Sequence, residues 1–184
     1  MLYTGKGDDG TTKTFGCDQR ISKSSKIAEA LGSLDEINSF LGICKVKAED
    51  KKITLTNGTK VEEIVNDIQK NLFIVQAELA GASMSIDKNK LEEAEEIISL
   101  IEKELPPIKH FFISGGTELA SLFDFARTVA RRAERRIIDV DLEKMVEVSD
   151  RTKAYLNRLS SLLYALARLA NHKSGITEEG PDYK

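Results

Sequence analysis

The sequence predicts an all-α protein built as an up-and-down bundle of five helices, related to ferritin-like and four-helix bundles. Apolar residues recur at three- and four-residue spacing in five segments, which is the period of a helix with one buried face. Short breaks containing glycine, proline or polar residues separate these segments. We expect one domain over residues 1–184, with a loop at 1–22, the bundle at 23–173 and a polar tail at 174–184.

The first three helices are defined by their apolar stripes and by the residues that stop them. The first stripe runs from Ile27 to Cys44, and the second from Val61 to Leu79. The third helix begins with acidic residues, which suit the positive end of a helix, and the prolines at 106–107 stop it.

The fourth and fifth helices have candidate caps. Thr117 is a suitable N-cap for the fourth helix, and Asp150 for the fifth, whose apolar stripe extends from Leu156 to Ala170. The five helices are expected at about 24–48, 60–82, 89–104, 117–140 and 150–173.

Composition excludes several classes of protein. The net charge of −3 argues against general affinity for nucleic acid. No run of 18 apolar residues exists, so we expect no membrane span, and the first residues lack the pattern of a signal peptide. The two cysteines, Cys17 and Cys44, fit two free thiols in a reducing cytoplasm, with a disulfide between them as the alternative.

Five of the nine arginines lie in the ten-residue stretch 127–136. On a helix, Ala126, Ala130 and Ala133 form a narrow apolar stripe that lets a neighbouring helix approach closely. Long guanidinium groups therefore stand at the edge of a tight helix contact. Such a row of forked, permanently charged donors suits a polyphosphate.

The arginines divide between the two flanks of that stripe. Arg127 and Arg131 lie on one flank, with Arg135 a little further round, and Arg132 and Arg136 lie on the other. The alternative is a solvated helix face in which Glu134 forms an ion pair with Arg131.

The N-terminal segment from Tyr3 to Thr14 has the composition of a phosphate-binding loop. Its glycines let backbone N–H groups approach an anion, while hydroxyl and ammonium groups add donors. It is not a P-loop, because Thr11 occupies the position of the P-loop lysine. Asp8 and Asp9 could hold a magnesium ion. The alternative is a flexible terminus.

Four further residues are candidates with open alternatives. Asp35 could pair with an arginine from another helix or subunit, or be a half-exposed carboxylate. Asn157 lies near the core edge, where a ligand or a backbone carbonyl could satisfy its amide. Phe111 and Phe112 form either an exposed pair or a plug into the bundle, and spacing alone favours core packing.

Together these segments resemble the cob(I)alamin adenosyltransferase family of the propanediol-utilisation type. The resemblance extends from Tyr3 to about Asn171 and rests on five ordered motifs. They are the Thr/Gly/Asp-rich N-terminus, ALGSLDEINSFLG at 30–42, FISGGTELA at 112–120, ARTVARRAER at 126–135 and YLNRLSSLLYALAR at 155–168.

The resemblance implies an enzyme that forms homotrimers and binds ATP at subunit interfaces. It would transfer the 5′-deoxyadenosyl group of ATP to the cobalt of cob(I)alamin, giving adenosylcobalamin and triphosphate. Cobalt(I) is itself the nucleophile, so no catalytic serine, cysteine or histidine is needed. Expected partners are a cobalamin reductase and an acceptor enzyme that uses adenosylcobalamin, and Mg²⁺ is the expected metal.

The resemblance also assigns roles to individual residues. Phe111 would pack beneath the corrin and keep a ligand off the lower cobalt face, and Asp35 would pair with Arg127 across the subunit interface. Arg131, Phe111 and Asn157 are the expected catalytic residues, and Asp8 is a candidate metal ligand. The implied ATP-binding residues are Thr4, Gly5, Lys6, Gly7, Thr12, Lys13, Lys23, Arg131, Arg132, Glu134, Arg135 and Asn157.

The chain departs from the family pattern at three places. Ser114 replaces a common proline, Ser161 replaces a common acidic residue, and Tyr183 is the only aromatic residue of a short tail. Two other functions remain alternatives: a nucleotide- or corrinoid-binding regulator without turnover, and a helical adaptor whose arginines bind an acidic protein.

Overall fold

A computed structural model describes residues 2–14 and 19–183 of the chain. In that part the chain forms five helices and one two-stranded hairpin, which confirms the predicted helical fold. The elements are β1 Thr11–Lys13, β2 Arg20–Ser22, α1 Lys26–Lys51, α2 Val61–Leu79, α3 Lys88–Glu104, α4 Glu118–Leu142 and α5 Asp150–Lys173.

The helices pack around the apolar faces that their periodicity predicts. Helix α4 packs between α1 and α5, α2 packs on α1, and α3 packs on α5. Ala126, Ala130 and Ala133 are buried along α4, as expected for close helix contacts. None of the helices in the described part is long and apolar enough to cross a membrane.

Side-chain caps fix where two functional helices begin. The Thr117 hydroxyl accepts a hydrogen bond from the Ala120 N–H at 3.1 Å, which confirms Thr117 as the N-cap of α4. The cap predicted for α5 is wrong, because Ser149 rather than Asp150 is the N-cap. The Ser149 hydroxyl accepts a hydrogen bond from the Thr152 N–H at 3.3 Å, and Asp150 is the first residue of the helix.

The predicted N-terminal loop contains a hairpin that periodicity did not reveal. Strands β1 and β2 pair antiparallel, with Thr11 opposite Ser22. Three-residue strands are too short to show alternation in a sequence. Cys17 lies outside the described residues, whereas Cys44 is a free, buried thiol whose pKa burial raises to about 12.

The polar tail folds back on the bundle. The Ile113 N–H donates to the Glu179 carbonyl at 2.8 Å, which ties the tail to the connection between α3 and α4. We call this connection, residues 105–117, the α3–α4 loop. It carries Phe111, so the tail and the loop form one surface at the end of the bundle.

Candidate active site

The arginines of α4 divide into paired and unpaired groups. Arg132 lies 2.5 Å from the Glu36 carboxylate and Arg136 lies 3.6 Å from that of Glu29, both on α1. Within residues 2–14 and 19–183, Arg131 and Arg135 form no ion pair or hydrogen bond. The helical period explains this division, because it places Arg131 and Arg135 on a side of α4 that faces away from α1.

The ion pair considered between Glu134 and Arg131 does not form. Glu134 instead accepts a hydrogen bond from the Asn157 amide at 3.4 Å. Asn157 is exposed rather than at a buried core edge, and its amide lies beside Glu134 of α4. Its carbonyl accepts a hydrogen bond from Arg158 at 2.9 Å.

These residues surround a cavity of about 510 Å³. We call it the arginine cavity. Its charge is dominated by guanidinium groups, two of which lack an acidic partner in the described part of the chain, so it suits a polyanion. Its lining residues are Arg131, Arg132, Glu134, Arg135, Arg136, Ile138, Asp139 and Asn157.

A second cavity, of about 610 Å³, lies under the α3–α4 loop. We call it the loop cavity. Phe111 lines it and is 81% exposed, so core packing is the wrong interpretation for this residue. Phe112 is the inward member of the pair, because its ring packs against the Arg168 guanidinium at 4.8 Å. Ser114 and Ser161 also line this cavity.

Arg131 lines both cavities. Its position on α4 lies where the two cavities meet. A ligand group in the arginine cavity and one in the loop cavity would therefore approach each other at this side chain. The sequence placed Arg131 in the arginine row but could not show that Arg131 also lines the loop cavity together with Phe111.

Half-buried charged groups line the loop cavity beside Arg131. Burial raises the pKa of Asp124, and the Arg127 guanidinium at 3.6 Å opposes that rise. Burial also raises the pKa of Tyr164.

The Nε atom of Arg127 is buried without a hydrogen-bond partner in the described chain, while Asp35 is exposed on α1. The chain therefore does not bring the predicted Asp35–Arg127 pair together within one molecule.

The N-terminal loop is held in shape by two cations. Lys23 donates to the Gly7 carbonyl at 2.8 Å, and Arg20 donates to the Thr11 hydroxyl at 2.5 Å and to the Lys6 carbonyl. A Cβ atom on Gly7 would lie 3.0 Å from the Thr11 carbonyl oxygen, so glycine suits this close approach. Arg20 was not predicted, since its role depends on the hairpin.

The predicted loop residues do not line either cavity within the single chain. Those in the described part are Thr4, Gly5, Lys6, Gly7, Thr12, Lys13 and Lys23, and none of them belongs to the lining of the arginine cavity or of the loop cavity. Within one chain, these loop residues therefore add no donor to the lining of either cavity.

The two loop aspartates have different surroundings. Asp9 accepts hydrogen bonds from the Thr11 hydroxyl and N–H, and the hydroxyl bond contributes most to lowering its pKa. The Asp8 carboxylate has no such bonds in the described part of the chain and lies beside Gly5. Residues 2–14 and 19–183 contain no group of three His, Cys, Asp or Glu side chains that could hold a metal ion. Asp8 would therefore fit Mg²⁺ only together with oxygens from a ligand such as a phosphate chain.

Other polar residues of the loop cavity were missed from the sequence. Arg168, Asn171 and Glu178 all contribute to its lining. One signal was present: Arg168 interrupts the otherwise apolar run from Ala165 to Ala170. A charge inside a buried stripe needs partners, which marks the position.

The chain is similar in sequence to known corrinoid adenosyltransferases over most of its length. The chain is 37% identical to the corrinoid adenosyltransferase PduO of Citrobacter freundii over 93% of its own length, but it spans only 50% of that relative. It is 37% identical to the corrinoid adenosyltransferase of Bacillus subtilis, over 95% of this chain and 89% of the relative.

A solved structure is also similar to this chain. It is a variant of the PduO-type ATP:corrinoid adenosyltransferase from Lactobacillus reuteri complexed with cobalamin and ATP, with a TM-score of 0.86 at 29% identity. The match covers 98% of this chain and 99% of that one. The family model for cobalamin adenosyltransferases matches residues 2–170, a range that includes the N-terminal loop, the α3–α4 loop, α4 and most of α5. This chain therefore belongs to the cobalamin adenosyltransferase family.

Proposed function

We propose that this chain is an ATP:corrinoid adenosyltransferase, which transfers the 5′-deoxyadenosyl group of ATP to the cobalt of a reduced corrinoid and releases triphosphate. The observation that carries the proposal is the position of Arg131 between the arginine cavity and the loop cavity. A reaction between a nucleotide and a corrin needs two sites that meet at the reacting atoms. The relatives named for this activity support the same reading.

The arginine cavity would take the triphosphate of ATP. In the transfer, cobalt(I) donates an electron pair to C5′ of the ribose and forms the cobalt–carbon bond. The bond from C5′ to the phosphate oxygen breaks, and triphosphate leaves with the electron pair of that broken bond. Negative charge therefore grows on the leaving group. Arg131 and Arg135, which have no acidic partner in the described chain, would stabilise it, with Arg132, Glu134 and Asn157 beside them.

The loop cavity would take the corrin. Phe111 presents an exposed aromatic ring from the α3–α4 loop, and an apolar ring beneath cobalt would exclude water and other lower ligands. A cobalt(II) centre without a lower ligand is easier to reduce to cobalt(I). The protein would thus contribute position and electrostatics, while the metal makes the bond.

The N-terminal loop would complete the nucleotide site from a neighbouring subunit. It is rich in donors, yet it lines neither cavity of its own chain. We therefore propose a homotrimer in which Thr4, Gly5, Lys6, Gly7, Thr12, Lys13 and Lys23 of one copy contact ATP at the interface. Asp8 would help to hold Mg²⁺, which supplies neutralising charge to the triphosphate when bound.

The same interface gives Arg127 and Asp35 their proposed role. The Nε of Arg127 is buried without a hydrogen-bond partner in the described part of one chain, and Asp35 is exposed. The Asp124 carboxylate lies 3.6 Å from this Nε, which is too far for a hydrogen bond. A carboxylate from a second copy would accept the hydrogen bond that the buried N–H lacks. This supports an Asp35–Arg127 pair between subunits.

We place the reaction in the cytoplasm, in keeping with ATP as substrate and the free Cys44 thiol. Cobalt(I) must be supplied by a one-electron reduction, so we propose a cobalamin reductase as partner. The product would pass to an enzyme that uses adenosylcobalamin.

A direct assay tests the proposed function. Purified protein is mixed with ATP and chemically reduced cobalamin, and the absorbance of the cobalt–carbon product is followed with time. We expect product only when both ATP and protein are present. Binding of ATP and cobalamin without any product would contradict the proposal and favour a regulator without turnover.

A further inference from the structure

Arg168 makes three contacts at the base of the α3–α4 loop. It lies on α5 and is only 5% exposed. Its Nε donates to the Glu178 carboxylate of the tail at 2.8 Å, and its Nη2 donates to the Pro106 carbonyl at 3.2 Å. Its guanidinium carbon lies 4.8 Å from the centre of the Phe112 ring. One side chain therefore joins a helix, the start of the loop, the residue next to Phe111 and the tail.

Asn171, one turn further along α5, holds the other end of the loop. Its carbonyl accepts a hydrogen bond from the Thr117 N–H at 3.0 Å, and its amide donates to the Gly115 carbonyl at 2.9 Å. Gly116 has a φ of +96°, and a Cβ there would lie 2.4 Å from the Asn171 carbonyl oxygen. Only glycine can pass this close to Asn171, so both ends of the loop are fixed on α5.

The loop has little else to define its shape. In the described chain, the only hydrogen bond between its backbone from 106 to 116 and backbone outside the loop joins Ile113 to Glu179 of the tail. The Phe111 side chain is 81% exposed, and its carbonyl lies 2.9 Å from the Nδ1 of the neighbouring His110. Besides contacts within the loop and a hydrogen bond between Ser114 and Asp124 of α4, the conformation around Phe111 depends on side-chain contacts from α5 and the tail.

We propose that Arg168 is a positioning residue that, together with Glu178, holds the α3–α4 loop so that Phe111 faces the cobalt of the corrin. This inference rests on the proposed function of Phe111. The planar guanidinium can donate to a carboxylate and a carbonyl in fixed directions while stacking on a ring. Arg168 does not contact the reacting atoms; it acts on cobalt through Phe112, its neighbour Phe111 and the tail.

The test uses a charge-free pair variant, because a single substitution would leave a buried charge unpaired. Arg168→Met with Glu178→Gln removes both charges and keeps volume. The matched control is Lys173→Met with Glu104→Gln, an ion pair of 2.6 Å that ties α5 to the last residue of α3, just before the loop begins. Glu104 also accepts a hydrogen bond from the Thr56 N–H, which glutamine can keep. Arg168→Lys is a third variant, which should retain part of the wild-type behaviour. It keeps the positive charge but loses the planar guanidinium with its several N–H donors.

Three measurements are made on the full chain. They are hydrogen exchange of the loop amides, the paramagnetic resonance spectrum of cobalt(II)alamin with ATP, and adenosylation started from cobalt(II) or from pre-formed cobalt(I). For the Arg168/Glu178 variant we expect faster exchange at Ile113, loss of most of the four-coordinate cobalt(II) signal, and about a tenfold slower reaction from cobalt(II) than from cobalt(I) relative to wild type. We expect the control pair to alter stability without changing any of these three readouts.

Two results would overturn the inference. One is an unchanged cobalt(II) spectrum and unchanged Ile113 exchange in the Arg168/Glu178 variant. The other is equal effects of the two ion pairs, which would make Arg168 a stabilising residue only. A wild-type protein that makes no product from cobalt(I) would instead refute the proposed function, and the exchange measurement would still decide whether Arg168 holds the loop.

Discussion

Adjacent arginines on α4 differ in their availability because a helix turns them to different sides. Arg132 is held by Glu36 of α1, whereas Arg131 meets two cavities and has no partner in the described chain. The sequence predicted this division into flanks from the period alone. It could not predict the partners, because these come from α1; Glu36 lies 96 residues before Arg132 in the chain.

Arg131→Ala should lower kcat/KM for ATP. Loss of a charged hydrogen bond to phosphate costs about 1.5–3 kcal/mol, or roughly ten- to a hundredfold. Steady-state kinetics with ATP as the varied substrate measure this effect. Arg151→Ala, at an exposed position outside both cavities, is the control. Unchanged ATP kinetics in the Arg131 variant would remove this residue from the triphosphate site.

Phe111 shows what residue-level prediction misses. Two neighbouring phenylalanines between proline and glycine give no period, so the sequence could not tell which one packs inward. In the structure Phe112 packs inward, since Arg168 offers its ring a partner. Phe111 is left exposed in the loop cavity.

Phe111→Ala should therefore cost little stability while slowing the reaction that starts from cobalt(II). A core phenylalanine would cost about 3–5 kcal/mol on truncation, but this side chain is exposed. We expect a melting temperature close to that of wild type and a larger rate loss from cobalt(II) than from cobalt(I). Thermal melts and the two assays together check this. Equal losses in both assays would argue against a role below cobalt.

At the scale of elements, the sequence predicted the helices well and the connections poorly. Helix α5 has the predicted bounds, and α1 extends three residues beyond its predicted end at 48, to Lys51. Long apolar stripes carry that information. The β1–β2 hairpin and the packing of the tail on the α3–α4 loop depend on contacts between distant short segments, which leave no local period.

The connection between α4 and α5 gives a pH-dependent prediction. The Val148 N–H and the Lys153 ammonium both bond to Asp141 and hold its pKa below the ordinary 3.8. A depressed pKa stabilises the fold above the ordinary value, and this stabilisation is lost as the pH falls through the folded-state pKa. Asp141→Asn should therefore lower the melting temperature near neutral pH.

The difference from wild type should shrink as the pH falls below the ordinary aspartate pKa of 3.8, which melts over a pH series would show. Asp150→Asn is a matched control, because Asp150 contacts the same Lys153 at 3.1 Å but its side chain is 99% exposed. A difference in melting temperature between Asp141→Asn and wild type that does not change with pH would contradict the stabilising role assigned to the ionised Asp141 carboxylate.

Removing the first 14 residues should abolish or weaken ATP-dependent turnover without unfolding the bundle. The segment supplies donors, and its described residues 2–14 contribute none to the buried apolar core. We expect unchanged helix content by circular dichroism and a raised KM for ATP. Normal ATP kinetics in the truncated protein would show that the loop does not bind nucleotide.

At the scale of the whole molecule, the proposed site is incomplete in one chain. No described residue of the N-terminal loop lines the arginine cavity, and the buried Nε of Arg127 has no hydrogen-bond partner in the described residues. Assembly of several copies would bring these parts together. The sequence could suggest an oligomer only by resemblance, since no local pattern encodes an interface.

Light scattering should give three times the 20.4 kDa chain mass for the wild-type protein. Arg127→Ala and Asp35→Ala should each shift the population toward smaller species, because they remove the proposed interface pair. Lys144→Ala, at an exposed position just after α4, should leave the mass unchanged. A monomer mass for wild type at micromolar concentration would contradict the trimer.

The central claim is that ATP gives its 5′-deoxyadenosyl group to cobalt and leaves as intact triphosphate. The most direct measurement quantifies both products of one reaction, adenosylcobalamin by its absorbance and the phosphate product by anion-exchange chromatography. We expect equal amounts of adenosylcobalamin and triphosphate, with formation of both depending on Arg131. Release of ADP and phosphate, or of AMP and pyrophosphate, without a cobalt–carbon product would contradict the claim.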